Sequence, residues 1–346
     1  AKEINNRLDE IRAMALNIYM EQSAVRDGVT AEEVKGILLG MASGQETLLG
    51  YFRRFIRNFE KRVGINRTVG SLRAYSNAYS HIERFLQAQY KLSDIPFSAL
   101  DRSFIDKYDL YLRTERNLAP GTIINLTVQL KTIVGEAIAD GIITASPFMG
   151  YEPVRPKHVQ KYLTAEELHR IMTTPLHRQP LYHVRDMFLF SCFTGIPYGD
   201  MRLLTKDNLC LAEDGIWWIK SARQKTKIEF EIPLLDLPLQ ILKKYSGTAP
   251  GDKLLPMYCN STLNLYLKEI ARICHIDRPL VFHAGRHTYA TEITLSHGVP
   301  LETVSRMLGH SQIETTQIYA KVTDEKIDAD TKALNRKISE RFSVVI

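Results

Sequence analysis

Cysteine is scarce in this chain. Its 346 residues hold four, Cys192, Cys210, Cys259 and Cys274, and their spacing matches neither a metal-ligand motif nor a disulfide framework. They read as buried thiols of a protein from a reducing cytoplasm. Long apolar runs are missing too. None approaches the roughly 20 residues of a membrane span, and no secretory leader opens the sequence, so no membrane partner is expected. Internal repeats and low-complexity tracts are also lacking. The chain opens at Ala1 rather than a methionine, directly in a helical pattern, and reads as a piece of a longer protein.

What is present is ordinary for a globular protein, with 45% hydrophobic and 24% charged residues. The length suits two or three domains with a sizeable core. Lys and Arg number 45 against 39 Asp and Glu, a net charge of +6, and the pI is about 9.0. A basic balance of this kind suggests a polyanionic partner.

Along the chain the periodicity is mostly helical. Residues 1–46 carry two helical patterns. The first runs through Ile4, Leu8, Ile11, Ala15 and Ile18, and the second opens on a capping box from Thr30 to Glu33. From 47 to 150 a helical bundle is expected. Its first helix has an apolar face of Phe52, Phe55, Ile56, Phe59 and Val63, and a basic stripe of Arg53, Arg57 and Lys61. The stripe fits a phosphate backbone, or simply a solvated helix face. Further helices are expected over 72–85, over 101–115 and from Pro120 to Gly141. Residues 151–162 form a basic linker with Arg155, Lys157 and Lys161. A second domain over 163–346 opens with the capping box Thr164–Glu167. Helices follow over 165–174 and 181–193. Within 216–234 the period switches to two, where Ile228, Phe230 and Ile232 alternate with Lys227, Glu229 and Glu231, the pattern of a half-buried strand. The fold class is therefore mainly α: a helical bundle, then a mostly helical domain with a small antiparallel sheet.

Three stretches carry candidate chemistry. In "VFHAGRHTYATEITLSHG", residues 281–298, a continuous helix places His283, Arg286, Ala290, Ile293 and His297 on one face. An arginine on a stripe shared with Ala and Ile calls for an anion, and its planar fork grips two phosphate oxygens. An internal carboxylate would satisfy it equally well. In "MLGHSQIETTQIYAKV", residues 307–322, Gly309 ends one helix, His310 occupies the turn, and Ser311 with Glu314 caps the next. Tyr319 then falls about two turns into that helix and off its core face. The same rhythm fits a helix-turn-helix of a non-catalytic DNA-binding regulator, although the second helix offers Gln312 and Gln317 and no arginine. In "RQKT", an extended chain puts Arg223 and Lys225 on one face. A solvated hairpin tip would look the same.

Taken in order, "FTGIPYGDMRLLT", "RQKT", "HAGRHTYAT" and "LGHSQIETTQIYA" resemble the catalytic domain of the tyrosine recombinase (phage integrase) family, across about 160–346. Residues 47–150 resemble, less specifically, its core-binding domain. Residues 1–46 would be the remainder of an arm-binding region. The resemblance implies that the Tyr319 hydroxyl attacks a DNA phosphodiester to give a 3′-phosphotyrosyl bond and a free 5′-hydroxyl. Arg286, His283 and His310 would stabilise the charged transition state and Lys225 would protonate the leaving oxygen, with Asp200 behind them. No metal and no ATP are implied. The partners implied are double-stranded DNA at specific core sites, a tetramer of this chain on that DNA, and an accessory DNA-bending protein. Free tyrosine ionises near pH 10, so a tyrosine nucleophile needs such help.

One residue departs from the family pattern. Where a second phosphate-binding arginine usually stands, this chain has Pro197. Losing such a donor costs about 3–4 kcal/mol of transition-state stabilisation. Arg202 lies too far around its helix, and Arg223 is the expected replacement. Two enzyme readings follow: an integrase of a mobile element, and an invertase or resolvase. A type IB topoisomerase shares the chemistry but lacks the matching surroundings.

Overall fold

The computed structural model describes residues 2–23, 46–154, 161–319 and 324–339, with the single positions 29, 31 and 34. The Thr30–Glu33 capping box, Arg155, Lys157 and the apolar tail at 341–346 lie outside the described residues. The chain divides into two compact units, Ala1–His158 and Val159–Ile346.

The first unit is helical. α1 spans Lys2–Ser23. Of its expected apolar stripe, Ile4, Leu8 and Ile11 are exposed, and only Ile18 is buried. The bundle itself is α2 (Leu48–Glu60), α3 (Val69–Phe85), α4 (Arg102–Thr114) and α5 (Pro120–Ala139). Each start has a local cause. Asp94 accepts hydrogen bonds from the Leu49 and Gly50 amides at 2.8 and 3.0 Å. The Thr68 hydroxyl accepts from Ser71 N, the Asp101 carboxylate accepts from Phe104 N, and Pro120 supplies the fixed φ of a first turn. Phe85 is fully buried and meets Phe104, Tyr108 and Tyr111 at ring-centroid distances of 5.1–5.3 Å. Tyr151, at the start of the expected linker, donates its hydroxyl to Asp109 at 2.7 Å.

The second unit is built around one helix. α6 (Ala165–Thr173) starts on the capping box of Thr164 and Glu167. α7 (Gln179–Thr194) is apolar nearly all round, as a central helix must be. After the single turn α8 (Tyr198–Met201) come β1 (Leu209–Leu211), β2 (Trp217–Ala222) and β3 (Glu229–Pro233). They form an antiparallel sheet in the order β1-β2-β3. Phe230 and Ile232 are buried while Glu229 and Glu231 are exposed. Then follow α9 (Asp236–Lys244), α10 (Asn260–Ile273) and α11 (Ala284–Thr288). All three pack on α7. α11 runs into a π-turn, Tyr289–Thr294. α12 (Leu301–Met307), α13 (Glu314–Gln317) and α14 (Asp324–Ser339) end the described chain.

Three expectations need correction. β1 went unread, because three residues are too few for a period-two signal. Cys192 and Cys274 are buried, but Cys210 is half-buried and Cys259 exposed. Arg223 and Lys225 do not share a strand face. β2 ends at Ala222, and the chain turns as Lys227 N donates to Arg223 O and Arg223 N to Ile228 O, both at 2.8 Å.

Truncating the ring at the centre of the first unit should leave a large cavity. Phe85→Ala is expected to cost about 3–5 kcal/mol, seen as a lower urea midpoint by far-UV circular dichroism. An unchanged midpoint would show that Phe85 is not central.

Candidate active site

The Leu308 carbonyl accepts two guanidinium hydrogen bonds, from Arg286 Nη2 at 2.6 Å and from Arg223 Nη1 at 2.9 Å. Arg286 Nη1 also donates to Gly195 O at 2.9 Å. Arg223 lies against Asp200, Nε to Oδ2 at 2.6 Å, at an angle too bent for a hydrogen bond. The other Asp200 oxygen accepts the Gln224 amide at 2.8 Å. Two buried or half-buried guanidinium groups therefore share one carboxylate and two backbone carbonyls. Burial lowers the Arg286 pKa to about 10, and the nearby charge of Arg223 adds to that fall. The electrostatic interaction with Tyr319 and the hydrogen bond that Arg286 donates to the Tyr319 oxygen act in the opposite direction. A buried cluster with this surplus of positive charge is a ready anion site.

Two glycines make the close approach possible. Gly195 ends α7 with φ +69°, and a Cβ there would stand 2.5 Å from the Tyr289 ring and 2.8 Å from Leu308. Gly309 has φ +63°, and a Cβ would stand 2.9 Å from Arg223 Cγ. Neither position admits a side chain.

His310 completes the inner group. Its Nε2 lies 2.8 Å from Arg286 Nη2, which can only donate, so Nε2 is the acceptor. The ring hydrogen therefore sits on Nδ1, 2.7 Å from the hydroxyl of Thr316, which is fully buried. Burial, with the charges of Arg286 and Arg223, lowers the His310 pKa to about 4. Tyr319 stacks on this ring at 8° and 6.2 Å between centroids. His287 meets the Tyr319 ring edge-on at 5.0 Å, and its own pKa falls to about 4, through burial first and then His283, Lys161 and Arg286. His283 precedes α11 at an exposed position, with its ring 5.0 Å from His287. Surrounding protein, then Arg286, Arg223 and Lys161, hold its pKa below the usual value.

Tyr319 is only 7% exposed and belongs to a small core with Tyr289, Ala290, Val304 and Leu308. The expectation that it lies off the core face is wrong. So is the cap: α13 begins after Ile313 with no side-chain hydrogen bond, and Ser311 plays no part. The helix stops after one turn, so the helical wheel does not extend to Tyr319. A helix of four residues is also too short to read a major groove, which weighs against the regulator reading. His297 does not share the face of Arg286 either. The π-turn shifts the phase, and His297 is exposed, its Nδ1 3.0 Å from Glu292 O.

Of the remaining residues singled out in the sequence, Lys225 is exposed in the β2–β3 turn and makes no hydrogen bond or ion pair among the described residues. Lys161 is exposed. Arg53 donates to the Tyr79 hydroxyl at 2.6 Å, while Arg57 and Lys61 are exposed on α2 and its end. Pro197 caps α8, its carbonyl taking the Met201 amide at 2.9 Å.

Residues 161–326 match the phage integrase family, and residues 47–153 match the phage integrase SAM-like domain. The chain belongs to the phage integrase family. These tyrosine recombinases are enzymes of site-specific DNA recombination. Among relatives, the tyrosine recombinase XerD of Listeria monocytogenes is 26% identical over 273 residues, 74% of this integrase-family chain and 89% of the relative. The Tn1549 transposon integrase, solved with a circular intermediate DNA, is 17% identical with a TM-score of 0.66, covering 83% of this chain and 99% of that one. A lambda integrase tetramer bound to a Holliday junction is 17% identical with a TM-score of 0.64, covering 81% and 80%. The last two show the same fold.

Sequence reasoning missed His287 and Thr316. His287 repeats His283 at i+4, a visible helical spacing. Thr316 gave no signal, because its role depends on where His310 points.

Folded-state pKa values near 4 for His287 and His310 lie below the unfolded value of about 6.5. The unfolded chain therefore binds more protons below about pH 6.5, and the stability present above that pH is lost as pH falls toward 4. Thermal melts should drop between pH 6.5 and 5, above the range where carboxylates titrate. His287→Gln should flatten that drop, and equal slopes for both proteins would contradict the assignment.

Proposed function

We propose that this chain is a DNA integrase of a mobile element, which cuts and rejoins duplex DNA at specific core sites through its own Tyr319. The observation that carries this reading is Tyr319 stacked on the His310 ring beside Arg286, whose guanidinium shares the Leu308 carbonyl with Arg223. The Tyr319 oxygen attacks phosphorus and gives up its hydroxyl proton to solvent, a phosphotyrosyl bond forms, and the bond to the 5′ oxygen breaks. That oxygen takes a proton, which Lys225 supplies from the hairpin turn. The freed 5′-hydroxyl of a partner strand later attacks the phosphotyrosyl bond and releases Tyr319. Each bond broken is replaced by another of the same kind, so the balance needs neither metal nor ATP. Arg286 and His283 stabilise the charge on the non-bridging oxygens, and His310 joins them once a proton on its Nε2 replaces the hydrogen bond from Arg286.

Arg223 supplies the second guanidinium in place of Pro197. Its support is geometric: it meets the same Leu308 carbonyl as Arg286. Proline has no donor to offer. Because Tyr319 is buried among residues of its own chain, each protomer attacks with its own tyrosine. We assign a tetramer of this chain on two duplexes in the cytoplasm, with a DNA-bending protein as accessory. Arg155, Lys157 and Lys161 of the linker, and the exposed Arg57 and Lys61, track the phosphate backbone, Arg53 doing so only after leaving Tyr79. The 46 residues ahead of the SAM-like match favour an integrase with an additional DNA-binding segment. The similarity to XerD favours the second reading, a resolvase acting within one genome.

A nicked duplex carrying the attachment site tests the chemistry. The wild type should give a covalent adduct resistant to detergent, and Tyr319→Phe none. Arg223→Ala should bind within about twofold of wild type yet form at least a hundredfold less adduct. Near-normal cleavage by that variant would refute its role. Mixing Tyr319→Phe with Arg286→Ala protomers should restore no adduct, and recovery would mean that the tyrosine acts on a neighbour's site.

A further inference from the structure

The turn between α2 and α3 carries a feature that the active site does not use. Ile65 is 82% exposed there, and Val69, one helical turn on, is 50% exposed. The turn is tightly built. The Arg62 carbonyl accepts the amides of Ile65, Asn66 and Arg67 at 3.1–3.2 Å, and Gly64 N donates to Arg67 O at 3.0 Å. Gly64 has φ +86° with open space around it, so the backbone shape rather than crowding demands glycine. Ile65 is thus displayed on a hydrogen-bonded turn, where it adds nothing to the core.

Its surroundings are cationic. Residues 57–73 hold Arg57, Lys61, Arg62, Arg67 and Arg73 against one carboxylate, Glu60. That local excess of four compares with +6 for all 346 residues. All five cations are exposed, and none makes an ion pair among the described residues. Arg67 is held in place by the Phe59 ring, 5.2 Å from its guanidinium carbon. Asn66 is exposed beside Ile65. α3 begins just past the turn, and its first turn favours an anion.

We infer that the 62–67 turn is a wedge that enters the minor groove of duplex DNA, with Ile65 between two base pairs and Arg62, Asn66 and Arg67 along the groove. Charge complementarity selects DNA as the occupant. A single apolar side chain among arginines and an asparagine is the composition that unstacks a base step and bends the duplex. An apolar protein partner would bury these cations without partners, which is unfavourable. The inference rests on the proposed action on DNA but not on its chemistry.

The test uses full-length Tyr319→Phe protein, so that the result is independent of strand cleavage. The probe is a 30-base-pair mixed-sequence duplex with 2-aminopurine at a TA step. Binding should raise 2-aminopurine emission several-fold. Ile65→Ala should bring emission to the free-DNA level while weakening binding less than about tenfold, and Ile65→Phe should restore it. Arg62→Ala and Arg67→Ala should each reduce the salt slope of binding by about 1. DNA binding with no emission change in the unsubstituted turn, or an unaltered response in Ile65→Ala, would overturn the wedge.

Discussion

Two guanidinium groups meeting at one backbone carbonyl set the terms for the rest of the second unit. Leu308 O holds Arg223 and Arg286 close together, and like charges at that range repel unless something negative lies between them. Asp200 offsets one charge. The other remains and adds to burial, the larger cause, in lowering the pKa values of Arg286 and the neighbouring imidazoles. The free protein thus holds an unbalanced positive charge, which the phosphate diester of the proposed reaction would offset. In that reaction binding and preorganisation would come from the same imbalance.

That imbalance also bears on where the chain must come close to itself. The carbonyls of Gly195 and Leu308 can serve as acceptors only if α7 and α12 end close to the guanidinium groups. Glycine at 195 and 309 permits this where any side chain would collide. Arg286 then fixes the tautomer of His310, Thr316 takes the Nδ1 hydrogen, and the Tyr319 ring is held between two neutral imidazoles. Neutrality matters here, because a protonated ring beside Arg286 would add to the surplus charge.

Much of the architecture was legible in the residues. The helices over 102–114, 120–139, 165–173 and 179–194 follow from apolar spacing and from caps such as Asp101, Pro120 and Thr164. These signals are local, and so survive without tertiary knowledge. The site was legible in its residue types but not in its geometry. Tyr319 was misread because a helix expected to run for two turns stops after one. The argument from a shared strand face for Arg223 and Lys225 failed because hairpin geometry is set by turn hydrogen bonds. Arg223 nevertheless meets Arg286, through a carbonyl 85 residues away, which no periodicity could show.

The π-turn at 289–294 has a consequence for how the chain can change. A wide turn holds one residue more than the α-helix it interrupts. Removing one residue there would restore regular winding and leave the flanking turns facing nearly as they do now, because the wide turn spreads about the same rotation over one residue more. The turn therefore takes up a residue of sequence without changing the direction in which the chain leaves α11. A change of length by one residue is absorbed at this point of the site's framework, where a regular helix would pass it on.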